Sequence, residues 1–207
     1  MAPTQTSIAP SVTLIDAALP QIASRLPVWL RNLVLVVAGA LLLTLSARVQ
    51  VPMWPVPMTM QSFAVLFLGA ALGPKLGAAS VAFYLAQGLA GLPVFAMPGA
   101  AGPAYFLGTT GGFLLSFIPA AYVAGQFAAR GVSLVKVAIG MILAHALILV
   151  VGMAWLAFFA QLANGATGVG LARAFAVGVQ PFIIGSLVKV ALATALVSAG
   201  WTLLRRR

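Results

Sequence analysis

One lysine constrains this chain more than any other residue. Lys189 sits in the run Pro181-Phe182-Ile183-Ile184-Gly185-Ser186-Leu187-Val188-Lys189-Val190-Ala191-Leu192-Ala193, near the middle of the last long apolar stretch. An ammonium in hydrocarbon costs several kcal/mol, roughly 2.5–3.5 on insertion scales, unless it faces a cavity or a partner. The usual partner is an Asp or Glu on another helix, yet the chain carries one acidic residue, Asp16, near its N-terminus. The counter-ion is therefore expected from outside the chain, on an anionic, carboxylate-bearing small molecule. The alternatives are that Lys189 snorkels to an interface or is neutral because it is buried.

The rest of the composition agrees with a membrane setting. Of 207 residues, 63% are hydrophobic and 6% are charged, and the mean hydropathy is +1.14. No water-soluble domain of this length has that balance. The expected fold is an all-α integral membrane protein. The net charge of +10 does not point to nucleic acid, because the basic residues scatter at helix ends. There is no Cys and a single His, so the parts for a metal site or an acid–base pair are missing and no enzyme is expected. Residues 1–27 are polar to mixed and are expected to form a cytoplasmic tail with a short surface helix. Residues 28–207 form the membrane domain.

Six spans are predicted, at about residues 28–47, 59–72, 76–91, 112–129, 137–163 and 176–204. The first is dense in small residues, among them Ala38, Ala40 and Thr44, which either pack within the bundle or admit another helix. After it, three prolines in six residues (Pro52, Pro55, Pro57) forbid a helix, yet the stretch stays apolar. Non-helical backbone at membrane depth must be buried or line a cavity, so residues 49–58 are expected to fold over a pocket. Trp54 there is a lid residue or an interfacial anchor. In the third span, Tyr84 and Gln87 share a face and point to the bundle interior, for a ligand or for an interhelical hydrogen bond. Residues 91–112 hold six Gly, three Pro and no charge, and read as a packed loop closing the same pocket. Pro119 is expected to kink the fourth span, and Arg130-Gly131 to end it. His145 in the fifth is expected to bond to another helix.

Basic residues set the orientation. Arg25, Arg31, Lys75, Arg130, Lys136 and Arg205 to Arg207 fall on one side, and Arg48 and Arg173 on the other. Both termini are then cytoplasmic, and both irregular loops face outward. Lys189 would lie roughly 12 Å below Pro181, at ~1.5 Å per residue.

Three motifs in order resemble the BioY family of biotin transporters. Val51-Pro52-Met53-Trp54-Pro55-Val56-Pro57-Met58-Thr59-Met60-Gln61 is similar to its Pro-Val-Pro-x-Thr-x-Gln signature. Tyr84-Leu85-Ala86-Gln87-Gly88-Leu89-Ala90-Gly91-Leu92-Pro93-Val94-Phe95-Ala96, with Gly108 to Gly112, resembles the next. Residues 181–189 resemble Pro-x-x-x-Gly-Asp-x-x-Lys in the sixth helix. Two positions depart from the pattern: Ser186 stands where the family has Asp, and Thr109 where it has Pro. Ser186 can donate and accept a hydrogen bond but brings no charge.

The resemblance implies a high-affinity biotin-binding S component of an energy-coupling-factor transporter in the cell membrane, six helices with both termini inside. It also implies a transmembrane coupling protein and a pair of ABC-type ATPase subunits as partners, with Ala38, Ala40 and Thr44 as contacts. The chain has no Walker motif, so ATP enters only through those partners. Solitary action and a homo-oligomer stay open, as does a different anionic vitamin or small carboxylate. Biotin would place its carboxylate at Lys189, its apolar chain against Trp54 and Phe95, and its ureido group near Gln87, Tyr84 or Ser186, with Gln61 a further substrate-binding candidate. A mostly apolar site with a few placed polar groups is the usual form for small ligands.

Overall fold

A computed structural model describes residues 13–18, 26–97, 101–128 and 133–205. Most of the expected tail, Arg25, the Pro98-Gly99 part of the second loop, Arg130, Gly131, Arg206 and Arg207 lie outside the described residues. The elements in order are α1 (Leu14–Ala18), α2 (Val28–Arg48), β1 (Gln50–Val51), β2 (Met58–Thr59), α3 (Gln61–Leu72), α4 (Pro74–Leu89), α5 (Pro103–Leu107), α6 (Gly111–Gln126), α7 (Leu134–Phe158), α8 (Leu171–Gly178) and α9 (Ile183–Arg205). Among the described residues three segments, Val28–Arg48, Leu134–Phe158 and Leu171–Leu204, are long and apolar enough to cross a membrane.

Each boundary has a local cause. Pro27 precedes α2, and Ser133 caps α7 by accepting from the Lys136 amide at 3.4 Å. Between α3 and α4 the chain turns at Gly73, whose φ of +83° only glycine adopts readily, and Pro74 then starts α4 at its first position. The expected sixth span is interrupted. Pro181 has no amide hydrogen to continue a helix, so α8 stops at Gly178 and a 3-10 turn over Gln180–Phe182 leads into α9. The fifth helix ends at Phe158 instead of near residue 163, and α6 runs unbroken through Pro119.

The fold is not purely helical. Residues 50–59 pair as a small antiparallel hairpin, Gln50 opposite Thr59 and Val51 opposite Met58. Prolines stop a helix there, and the backbone groups still need partners.

On α2 the buried positions are Gly39, Ala40, Leu43, Ser46 and Ala47, one stripe at helical spacing. The opposite side exposes Leu41 and Leu45, an apolar face suited to lipid. The stripe meets α4 closely, since a Cβ on Gly39 would come 2.6 Å from Ser80 Oγ. Ala40 is 1% exposed and packs inside the bundle. Thr44 is half-buried and donates to the Ala40 carbonyl at 3.0 Å, while Ala38 is exposed.

Three helices touch through glycines at the centre. A Cβ on Gly69 of α3 would lie 2.1 Å from the Ala121 carbonyl oxygen of α6. One on Gly77 of α4 would lie 2.6 Å from the Gly69 Cα, and one on Gly125 of α6 would lie 2.6 Å from the Gly69 carbonyl oxygen. Such backbone approach is how helices associate where no water drives them together. At one end of the bundle, α1 packs against α3 and α9, with Leu14 and Ile15 against the core. At the other end the two irregular loops cover it.

Candidate ligand-binding site

The loops are tied into one roof. Thr109 Oγ1 donates to the Pro55 carbonyl at 2.9 Å, Gln50 Nε2 donates to the Ala96 carbonyl at 3.1 Å, and the Arg48 guanidinium donates to the Pro93 carbonyl. Trp155 Nε1 on α7 holds the Gly108 carbonyl at 2.9 Å. Phe95 hangs from this roof into the bundle, 1% exposed. It stacks on Tyr105 at 4.9 Å and meets Tyr84 edge-on at 5.5 Å. Gly88 is obligatory beneath it, because a Cβ there would sit 2.0 Å from the Phe95 ring.

Under the roof lies a cavity of about 60 Å³. Its walls are apolar: Val56 and Pro57 from the first loop, Phe113 and Phe117 from α6, Ile148 from α7 and Phe182 from the 3-10 turn. The polar groups converge from separate elements: Thr59 at the end of β2, Gln61 and Ser62 on α3, His145 on α7, and Ser186 and Lys189 on α9.

Lys189 is 8% exposed. Its Nζ donates to the Thr59 carbonyl at 2.6 Å and to Ser62 Oγ at 3.3 Å. Neutral acceptors therefore hold the ammonium, and its charge has no anionic partner in the cavity wall. His145 Nε2 and Ser186 Oγ are 2.7 Å apart, one turn of α9 from Lys189. With Nε2 as the donor, the Ser186 hydroxyl hydrogen is left free to donate.

The expected site residues separate into layers. Lys189, Ser186, Gln61 and Phe95 line the cavity together. Tyr84 stands behind it, 0% exposed, accepting from Gln61 Nε2 at 2.6 Å and donating to the Val94 carbonyl at 3.1 Å. It fixes Gln61 and the Phe95 loop without lining the cavity. Gln87 is half-buried and lines neither this cavity nor the outer one described next. Trp54 is 81% exposed and lines the outer, larger cavity.

Sequence reasoning missed Thr59 and Ser62 as acceptors for Lys189, and Tyr105, Phe113, Phe117 and Phe182 as walls. The polar run Thr59 to Ser62, at the head of an apolar helix, was the available signal for the first pair. His145 does make the expected interhelical bond, and it lines the cavity as well.

An apolar cavity with a few convergent polar groups, inside helices whose outer faces are apolar, defines a membrane protein that binds a small molecule. The comparisons with known proteins sharpen this. The BioY family model matches residues 16–206. The chain is 38% identical to the probable biotin transporter BioY of Pyrococcus horikoshii over 153 residues, 73% of this chain and 85% of that one. It is 37% identical to the biotin transporter BioY of Rhodobacter capsulatus over 171 residues, 77% of this chain and 87% of that one. The crystal structure of the S-component for biotin from an ECF-type ABC transporter superposes with a TM-score of 0.64 at 25% identity, covering 86% of this chain and 92% of that one. The chain belongs to the BioY family, a family of membrane transporters and not of enzymes.

Proposed function

We propose that this chain is the biotin-binding membrane subunit of a vitamin uptake system. The observation that carries the reading is Lys189: a buried ammonium held only by neutral acceptors, on the wall of an apolar cavity, in a chain of this family. A ligand carboxylate supplies the missing anion. The apolar walls and Phe95 take the valerate chain and the thioether ring. The ureido group finds Gln61 and the Ser186–His145 pair.

In this reading α2, α3, α4, α6, α7 and α9 cross the membrane, with both termini cytoplasmic and the roof outside. The distribution of basic residues supports that orientation, with Arg48 and Arg173 on the roof side. Energy comes from partners, a coupling protein and ABC-type ATPase subunits, because the chain has no phosphate-binding motif of its own. Exposed Ala38 on α2 remains a candidate contact for the coupling protein, with Thr44 at the edge of the same surface.

The test is a titration of the purified chain, expressed in biotin-free medium, with biotin and competing vitamins. The reading expects a dissociation constant in the nanomolar range, about 12 kcal/mol at 1 M standard state. Stronger binding of another carboxylate would transfer the function to that ligand, and binding no better than millimolar would abolish it.

A further inference from the structure

A second cavity, of about 780 Å³, lies beside the first and opens outward between the roof and the segment that joins α7 to α8. Its walls include Trp54, Tyr105, Thr109, Gln161, Asn164 and Arg173. Arg173 is the one formally charged side chain in that lining. No hydrogen bond or ion pair occupies Arg173 or the Gln161 side chain among the described residues, and Asn164 uses only its oxygen, which accepts from the Ala166 amide at 3.1 Å. The lining is thus an unengaged guanidinium with free amide donors, facing an exposed indole.

The two cavities share Tyr105 and Thr110 as common wall. Tyr105 rides on the short helix α5, between Gly102 and Gly108, and its ring stacks on Phe95. Behind that stack lies the inner cavity, of about 60 Å³. On the way from the outer cavity to Lys189, this stack is the wall that a ligand meets.

We propose that the outer cavity is a staging site for a small organic carboxylate: Arg173 captures the anion, Trp54 covers its apolar body, and Tyr105 is the wall shared with the inner pocket. The inference rests on the proposed function and extends it from where the ligand ends to how it arrives. A cation in a walled cleft concentrates field lines and raises the capture rate of anions, an effect that salt screens over about 8–10 Å.

The experiment is stopped-flow binding of biotin and of biotin amide to the full chain in detergent, for wild type, Arg173→Gln and Arg173→Lys. Arg173 is exposed, so all three should elute alike on size exclusion. For biotin at low salt, Arg173→Gln should slow association about ten-fold, with dissociation slowed in parallel and Kd changed less than about three-fold. Arg173→Lys should restore most of the rate, and biotin amide should be indifferent to both changes. An unchanged association rate with wild-type salt dependence overturns the staging site and leaves the proposed function intact. A Kd that rises as far as the association rate falls also overturns it, because Arg173 would then hold the bound ligand. Failure of wild type to bind biotin at all removes the proposed function, and the staging site with it.

Discussion

The Lys189 ammonium donates to the backbone carbonyl of Thr59, 2.6 Å away and 130 positions earlier in the chain. This bond joins the last helix to the exit of the hairpin, where the first roof loop enters the bundle. In the proposed function, a ligand anion at Lys189 would act directly on a group that anchors the roof, so that binding and closure would share one contact.

Tyr84→Phe tests the layer behind the cavity. It removes the acceptor for Gln61 Nε2 and the donor to the Val94 carbonyl, both buried. Leaving buried groups unpaired costs about 1–3 kcal/mol. We expect a lower thermal midpoint in detergent together with weaker biotin binding. A variant with wild-type midpoint and affinity would show that Tyr84 positions nothing.

Gly69→Ala tests the glycine crossing. The added methyl would meet the Ala121 carbonyl, a backbone atom that cannot swing away. Overpacking of this kind costs about 1–3 kcal/mol. The predicted outcome is a reduced thermal midpoint, read by tryptophan fluorescence and by monodispersity on size exclusion. Equal stability would contradict close packing of α3 on α6.

How much of this was legible follows from where the information sits. Lys189 and Ser186 were readable because polar residues in an apolar helix stand out and must face the interior. The acceptor at Lys189 was not, since a backbone carbonyl carries no residue-type signal and Thr59 offers it from a hairpin that periodicity does not reveal. Trp54 was expected near the ligand and lines the outer cavity, because two-dimensional proximity to a pocket-forming motif does not say which side of the roof a ring occupies. The break at Pro181 could have been read from proline's missing donor, but the apolar run through it suggested one helix. Gly69, Gly77 and Gly125 were ordinary glycines until the helices that cross there were known.

Residues 49–58 should respond to the ligand. They lie over the inner cavity, with Val56 and Pro57 in its wall, and the proposed ligand would sit beneath them. Hydrogen exchange over this segment should slow on adding biotin. Thr109→Val cuts the bond to Pro55, worth about 0.5–1.5 kcal/mol, and should speed biotin release by a few-fold. Identical exchange with and without biotin would rule out a lid.

The central claim is that the ligand brings the anion that Lys189 lacks. The most direct measurement is a cycle of two proteins, wild type and Lys189→Met, against two ligands, biotin and biotin amide. Truncating one partner of a buried charge pair costs about 2–5 kcal/mol, and a charge-assisted bond in a low-dielectric site is the stronger kind. Lys189→Met also leaves the Thr59 carbonyl and Ser62 without their donor, so the ligand-side change serves as the control that keeps the protein intact. We predict that biotin loses about 2–5 kcal/mol on Lys189→Met, while the amide binds wild type poorly and loses little more in the variant. If the amide loses as much as biotin does, the two changes are independent and Lys189 does not hold the carboxylate.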